Sequence, residues 1–239
     1  MRRLRRSGRL FRRSLFDLLL PAVCPACGRP AKDLCAVCSR GLGWRLEQGC
    51  RRCGEASASS GGTCASGHDE LRNLVRLVAP WRYAGTGGAL VRRFKLDGNL
   101  AAGRLLARGV ADAWRAAMPV GWGRAVLVPV PLHESRRRIR GFDQAAWLAS
   151  AVARRLRVPV AVGCLRRCRP TLPQGDPRNR SRQANVHGAF VVRRAERVQG
   201  RRVVLVDDVF TSGATMRQCA RQLLEAGALE VAALVACRS

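Results

Sequence analysis

The chain has 239 residues, 47% of them hydrophobic, which suits one sizeable α/β domain with a small appended module. No run nears the roughly 20 uncharged apolar residues of a membrane span, so a membrane-spanning role is excluded at the outset. The formal net charge is +28, from 44 Lys+Arg against 16 Asp+Glu. A surplus of that size makes a positive potential that attracts phosphates, free or polymeric. The bland reading of so many arginines (Lys32 and Lys95 are the only lysines) is coding bias of a GC-rich genome, which explains part of the pattern but not the excess of cations over acids. The excess is uneven: between Arg136 and Arg202, 18 arginines face only Asp143, Asp176 and Glu196.

Residues 1–20 form a basic leader. The start, MRRLRRSGRLFRRSLFDLLLPAVC, has the outward look of a signal peptide. Asp17 interrupts its short apolar stretch and no small-x-small cleavage site follows, so an amphipathic basic helix and a cytoplasmic protein are expected instead. Residues 21–70 are rich in Cys and Gly and poor in aliphatics, and cannot build a core without a staple. Seven of the 11 cysteines lie here, six of them in Cys-x2-Cys pairs. Cys24-x2-Cys27 precedes Cys35-x2-Cys38, and Cys50-x2-Cys53 precedes Cys64-x3-His68. Two residues between cysteines let a tight turn aim both sulfurs at one ion, and two such turns complete a tetrahedron. One or two structural Zn2+ ions are expected. The pairs combine either consecutively or interleaved, and His68 is either the last ligand or an exposed loop residue. Closed all-Cys sites hold a fold and leave no open catalytic position. The scattered Cys164, Cys168, Cys219 and Cys237 read as small hydrophobes.

From Leu71 the texture changes, and residues 71–239 read as one α/β domain. Candidate strands are Leu74–Tyr83, Ala125–Pro131, Val158–Leu165, Val203–Val206 and Val231–Ala236. Candidate helices are Gly88–Phe94, Leu100–Met118, Asp143–Arg157 and Ala214–Ala226. This alternation predicts a mainly parallel sheet with flanking helices. Residues 168–188 are polar, carry three prolines and follow neither period; a loop that long is usually functional or mobile.

The segment VVLVDDVFTSGAT, residues 203–215, combines several signals. A buried strand, Val203–Val206, ends at Asp207 and Asp208, where open α/β sheets place ligands. Val209 and Phe210 lead into a turn of small and hydroxyl residues, Thr211, Ser212, Gly213, Ala214 and Thr215, opening onto a helix. Backbone N–H groups of such a turn surround a phosphate. The paired carboxylates repel phosphate but suit the vicinal hydroxyls of a ribose, or Mg2+ beside it. Phosphate at one end and a diol binder at the other describe ribose 5-phosphate.

This segment resembles the signature of type I phosphoribosyltransferases that binds phosphoribosyl diphosphate (PRPP). With the paired cysteines, residues 128–149 (VPVPLHESRRRIRGFDQAAWLA) and the block QGDPRNRSRQANVHGAF, the chain resembles the ComF/GntX family from about Leu18 to Cys237. That resemblance implies a double zinc ribbon before a type I phosphoribosyltransferase-like domain. Its second cysteine cluster departs from the family's usual Cys-x2-Cys ending. The resemblance further implies that Arg140, Gly141 and Phe142 form the pyrophosphate loop, with Asp207, Asp208 and Arg140 in the catalytic roles. It implies that Gln174, Arg178, Arg180, Arg182 and Asn185 belong to a mobile loop that closes over the site. Lys95 matches a family lysine, or is a plain surface residue. Arg136, Arg137 and Arg138 either reinforce the loop or lie on a solvated face. The function implied is binding of PRPP with Mg2+, with phosphoribosyl transfer to an unidentified acceptor if the protein is an enzyme. The alternatives are PRPP sensing without turnover and handling of single-stranded DNA alongside the competence machinery during DNA uptake, through the same phosphate site.

Overall fold

The computed structural model describes residues 22–43, 50, 52–53, 68, 71–169 and 188–239. The leader 1–20, Cys64 and the loop residues Gln174, Arg178, Arg180, Arg182 and Asn185 lie outside the described residues, as do the side chains of Arg136 and Arg140. In chain order the elements are α1 (Ala36–Arg40), β1 (Leu77–Val78), β2 (Trp81–Arg82), α2 (Gly85–Leu96), α3 (Leu100–Ala117) and β3 (Val126–Pro129). There follow α4 (Glu134–Arg140), α5 (Gln144–Leu156), β4 (Leu165–Arg167), β5 (Phe190–Val192), β6 (Arg202–Phe210), α6 (Ala214–Glu225) and β7 (Glu230–Arg238).

The main sheet is parallel, ordered β1–β7–β6–β3, with β2 also on β7. Its central strands are continuous Val/Leu/Ala runs because both faces are covered: Val203 to Val206 and Val231 to Cys237 are fully buried or nearly so. Val126 pairs with Val203 and Val203 with Val231. The candidate strand Leu74–Tyr83 forms as two short pieces, since Pro80 has no N–H to give to a ladder. The candidate strand Val158–Leu165 reduces to a bridge between Val160 and Leu127, because Gly163 turns the chain with φ 74° before β4.

Two cores result. On one face α2, α3 and α5 bury Leu90, Phe94, Leu106, Trp114 and Leu148 against Val204 and Val206. On the other, α6 and the β4–β5 hairpin bury Cys219, Leu223, Cys164 and Phe190 against Val203 and Leu205. Asn99 and Asp143 cap α3 and α5 by accepting from Ala102 N (3.0 Å) and Ala146 N (2.9 Å), which fixes both helix starts close to their expected places. Among the described residues no helix is long and apolar enough to cross a membrane.

The described residues between 22 and 68 pack on this domain. Cys24, Ala26 and Cys38 pack in the α2–α3 core, whereas Cys50 and Cys53 pack in the other. The carbonyl of Arg52 accepts from Leu77 N at 2.7 Å, on the free side of β1. The N-terminal module thus straddles the sheet edge.

Candidate phosphoribosyl site and metal centres

Strands β3 and β6 are parallel neighbours, so their C-terminal ends open on the same side. The chain runs from β3 outward to Val160, and from β6 to β7 on the opposite side. Such a divergence leaves a crevice outside the strand ends, the usual ligand position in open α/β sheets. The expected phosphate turn follows β6, and the segment Arg140–Phe142 follows β3 and α4.

β6 runs to Phe210, four residues beyond the expected Val206, because Asp207, Val209 and Phe210 still pair with Val235, Cys237 and Arg238. The turn therefore begins at Thr211. Gly213 adopts φ 70°, a left-handed conformation that glycine accepts without strain, and stands at the N-cap of α6 with no side-chain cap. A helix start leaves its first N–H groups without intrahelical acceptors. Here they adjoin the half-buried Thr211, Ser212 and Thr215. The Arg217 guanidinium donates to Ser212 O at 3.1 Å and Arg217 N to Gly213 O at 2.8 Å, which locks the turn's shape. The turn thus brings backbone amides and hydroxyl side chains together, with the Arg217 guanidinium held against Ser212 O.

The two acids, alike in sequence, differ in structure. Adjacent strand residues point to opposite faces. Asp208 faces α2, where Lys95 Nζ lies 2.9 Å from Oδ2 and 3.2 Å from Oδ1. Asp207 faces α6, where its charge helps hold the buried Cys219 thiol in its protonated form. Burial, then the charge of Asp208, pushes the Asp207 carboxyl up to about 7; Lys95 and the N–H of Asp208, 2.8 Å from Asp207 Oδ1, oppose the shift only in part. Asp208 thus holds an ammonium, while burial and its acidic neighbour raise the Asp207 carboxyl.

Gly141 ends α4 with φ 75° and its N–H on Arg137 O, and Asp143 caps α5 two residues on, so the expected pyrophosphate segment is a tight turn between two helices. Phe142 packs edge-on against Phe94 at 5.5 Å, and Gln144 Nε2 donates to Lys95 O at 3.5 Å. The blocks FKLDGN, RGFDQ and VDDVF, far apart in sequence, thereby converge. Sequence reasoning passed over Gln144 and left Lys95 undecided. The available signal was the scarcity of lysine in an arginine-rich chain.

Cys24, Cys27, Cys35 and Cys38 bring their sulfurs within 4.8 Å of one another, and the Cys27–Cys35 separation is 3.7 Å. Tetrahedral zinc with bonds of about 2.3 Å needs sulfurs roughly 3.8 Å apart, so the residues fit a structural zinc. Burial works against the Cys24 thiolate, but backbone N–H groups of Cys35, Cys27 and Ala26 outweigh it and bring that thiol down to about 6, ready for a metal. Cys50, Cys53 and His68 form a second group, with Cys50 Sγ 3.2 Å from His68 Nε2. Pairing is consecutive within the first group, and His68 faces the second. The expected fourth ligand of the second group, Cys64, lies outside the described residues.

Residues 15–67 match the double zinc ribbon domain, and residues 143–239 match the phosphoribosyl transferase domain. The DNA utilization protein YhgH of Escherichia coli strain K12 is 32% identical over 231 residues, covering 93% of this chain and 99% of the relative. Competence protein F of Haemophilus influenzae is 27% identical over 206 residues, covering 83% and 87%. Competence protein ComFC of Bacillus subtilis is 25% identical over 215 residues, covering 90% and 77%.

Proposed function

Because the chain belongs to the ComF family, with a double zinc ribbon ahead of a phosphoribosyltransferase-type domain, we propose that it binds 5-phosphoribosyl ligands, PRPP foremost. The 5-phosphate lies in the turn Thr211–Thr215 on the first amides of α6. The ribose hydroxyls lie on Asp207 and Asp208, and the diphosphate points to the turn formed by Arg140, Gly141 and Phe142. The observation that supports this most is the shared strand end: acids on β6, an uncapped helix start after it, and a left-handed turn reached from neighbouring β3. Mg2+ would enter with the diphosphate and neutralise its charge beside Asp207 and Asp208. Where transfer occurs, a nucleophile bonds to C1 of the ribose as the C1–diphosphate bond breaks and pyrophosphate leaves. Arg140 stabilises the leaving charge, and the loop 168–188 excludes water. The decisive measurement is titration calorimetry with PRPP and with ribose 5-phosphate, each with and without Mg2+, followed by pyrophosphate release across a panel of bases and amines. Saturable binding of both, with mutual competition, is expected; failure to bind either rejects the reading.

A second reading, handling of single-stranded DNA, has its own support. Arg137 and Arg138 on α4 and Arg166 on β4 are exposed, and their charges are all felt at Glu134, whose carboxyl they hold below its usual range, first through the Arg138 hydrogen bond. Arg193, Arg194 and Arg197, just past β5, are exposed as well. The relatives are named for competence and DNA utilization. A strand held this way dissociates steeply as salt rises. Displacement by excess PRPP places the strand in the phosphoribosyl site; persistence places it on the exposed arginines.

A further inference from the structure

Lys95 is one of only two lysines in a chain with 42 arginines, from 44 Lys+Arg less Lys32 and Lys95. Its ammonium touches both oxygens of Asp208, at 2.9 and 3.2 Å. The Asp208 side chain is 7% exposed and that of Lys95 27%, so the lysine lies over the carboxylate on the solvent side. An arginine there would grip the carboxylate as a rigid two-pronged fork. A compact ammonium on a four-carbon stem satisfies both oxygens and still swings away without moving the main chain. The main chain at Lys95 is held: its carbonyl accepts from Gln144, and Phe94 packs on Phe142 beside the turn assigned to the diphosphate. Backbone fixed and ammonium free to turn is the arrangement of an exchangeable charge.

We propose that Lys95 neutralises Asp208 in the free protein and, when PRPP enters, releases that carboxylate to the ribose hydroxyls and pairs with the diphosphate. This rests on the phosphoribosyl reading of the site and deepens it. Lys95 then sets the preference for a sugar phosphate bearing a diphosphate at C1. Ribose 5-phosphate offers the displaced ammonium no partner, so it binds at the expense of the Lys95–Asp208 pair.

The test is calorimetry on the full-length, zinc-loaded protein with ribose 5-phosphate and with PRPP, for the native chain, Lys95→Met and Lys95→Gln. The glutamine amide carries no charge but can still donate to Asp208, and so guards against loss of fold in the methionine variant. The native chain is expected to prefer PRPP. That preference should fall by about tenfold or more in both variants while ribose 5-phosphate still binds. An unchanged preference in either variant overturns the proposal. So does loss of ribose 5-phosphate binding from both, which makes the ion pair a structural tie. A native chain that binds neither sugar phosphate rejects the site itself, a result distinct from any variant effect.

Discussion

Asp207 and Asp208 differ by one position and by one face of the sheet, and that decides their surroundings: Lys95 lies against Asp208, while burial and the Asp208 charge act on Asp207. A carboxyl whose folded pKa is raised, here from 3.8 to about 7 at Asp207, favours the folded state fully below the unfolded value and loses that contribution as pH rises through the folded one. Wild-type stability should therefore fall from about pH 4 to pH 7 and level off. Each unit of pKa difference corresponds to about 1.4 kcal/mol. Asp207→Asn removes the penalty: its urea midpoint should exceed wild type at pH 8, by an amount that shrinks towards pH 4, while its affinity for PRPP drops. Equal midpoint shifts at the two pH values would show that burial leaves Asp207 unperturbed. None of this was legible in the pair Asp-Asp. Sequence places both acids at a strand end, but only the strand's continuation to Phe210 and the arrival of Lys95 from α2 tell them apart.

At the scale of elements, helix propensity and packing make opposite predictions at Gly109 in α3. Glycine in a helix interior is worth about 1 kcal/mol less than alanine, so Gly109→Ala should stabilise an isolated helix. In the fold, a Cβ there would overlap Cη2 and Cζ2 of Trp81, on a ring buried between β2 and the helix. Overpacking of that kind costs about 1–3 kcal/mol. A net destabilisation of about 1–2 kcal/mol is expected from the urea midpoint; a gain would mean that Trp81 has room to move. The long elements were legible because α3, α5, α6, β6 and β7 carry clear periods or continuous apolar runs. α4 was not, since ESRRRIR offers a single apolar residue, and β5 was not, since three residues hold no period. Arg167 lies opposite Phe190 in the β4–β5 pair, and residues 170–187 of the polar stretch lie outside the described residues.

At the scale of the molecule, strand order escapes any local pattern. Leu77 lies beside Ala233, a pairing that only the packed sheet specifies. The cysteine spacing gave the metal-binding residues but left their pairing open, and gave no hint that the two groups would bury against opposite faces of the sheet. Asp33 reaches Arg108 on one side at 3.6 Å, and Cys53 O accepts from Arg238 on the other at 2.9 Å, so the module spans the margin like a clip. The carbonyl of Arg52, next to Cys53, satisfies the outward N–H of Leu77. Stripping the zinc with a chelator is expected to free that clip and bare the Leu77 N–H on the apolar edge strand β1, an invitation to association between chains. Loss of metal should then register as rising light scattering at constant temperature before the helical signal falls, reversed only when zinc is restored early. A chelated chain that stays monodisperse would mean that something other than the metal-bound loop shields that margin.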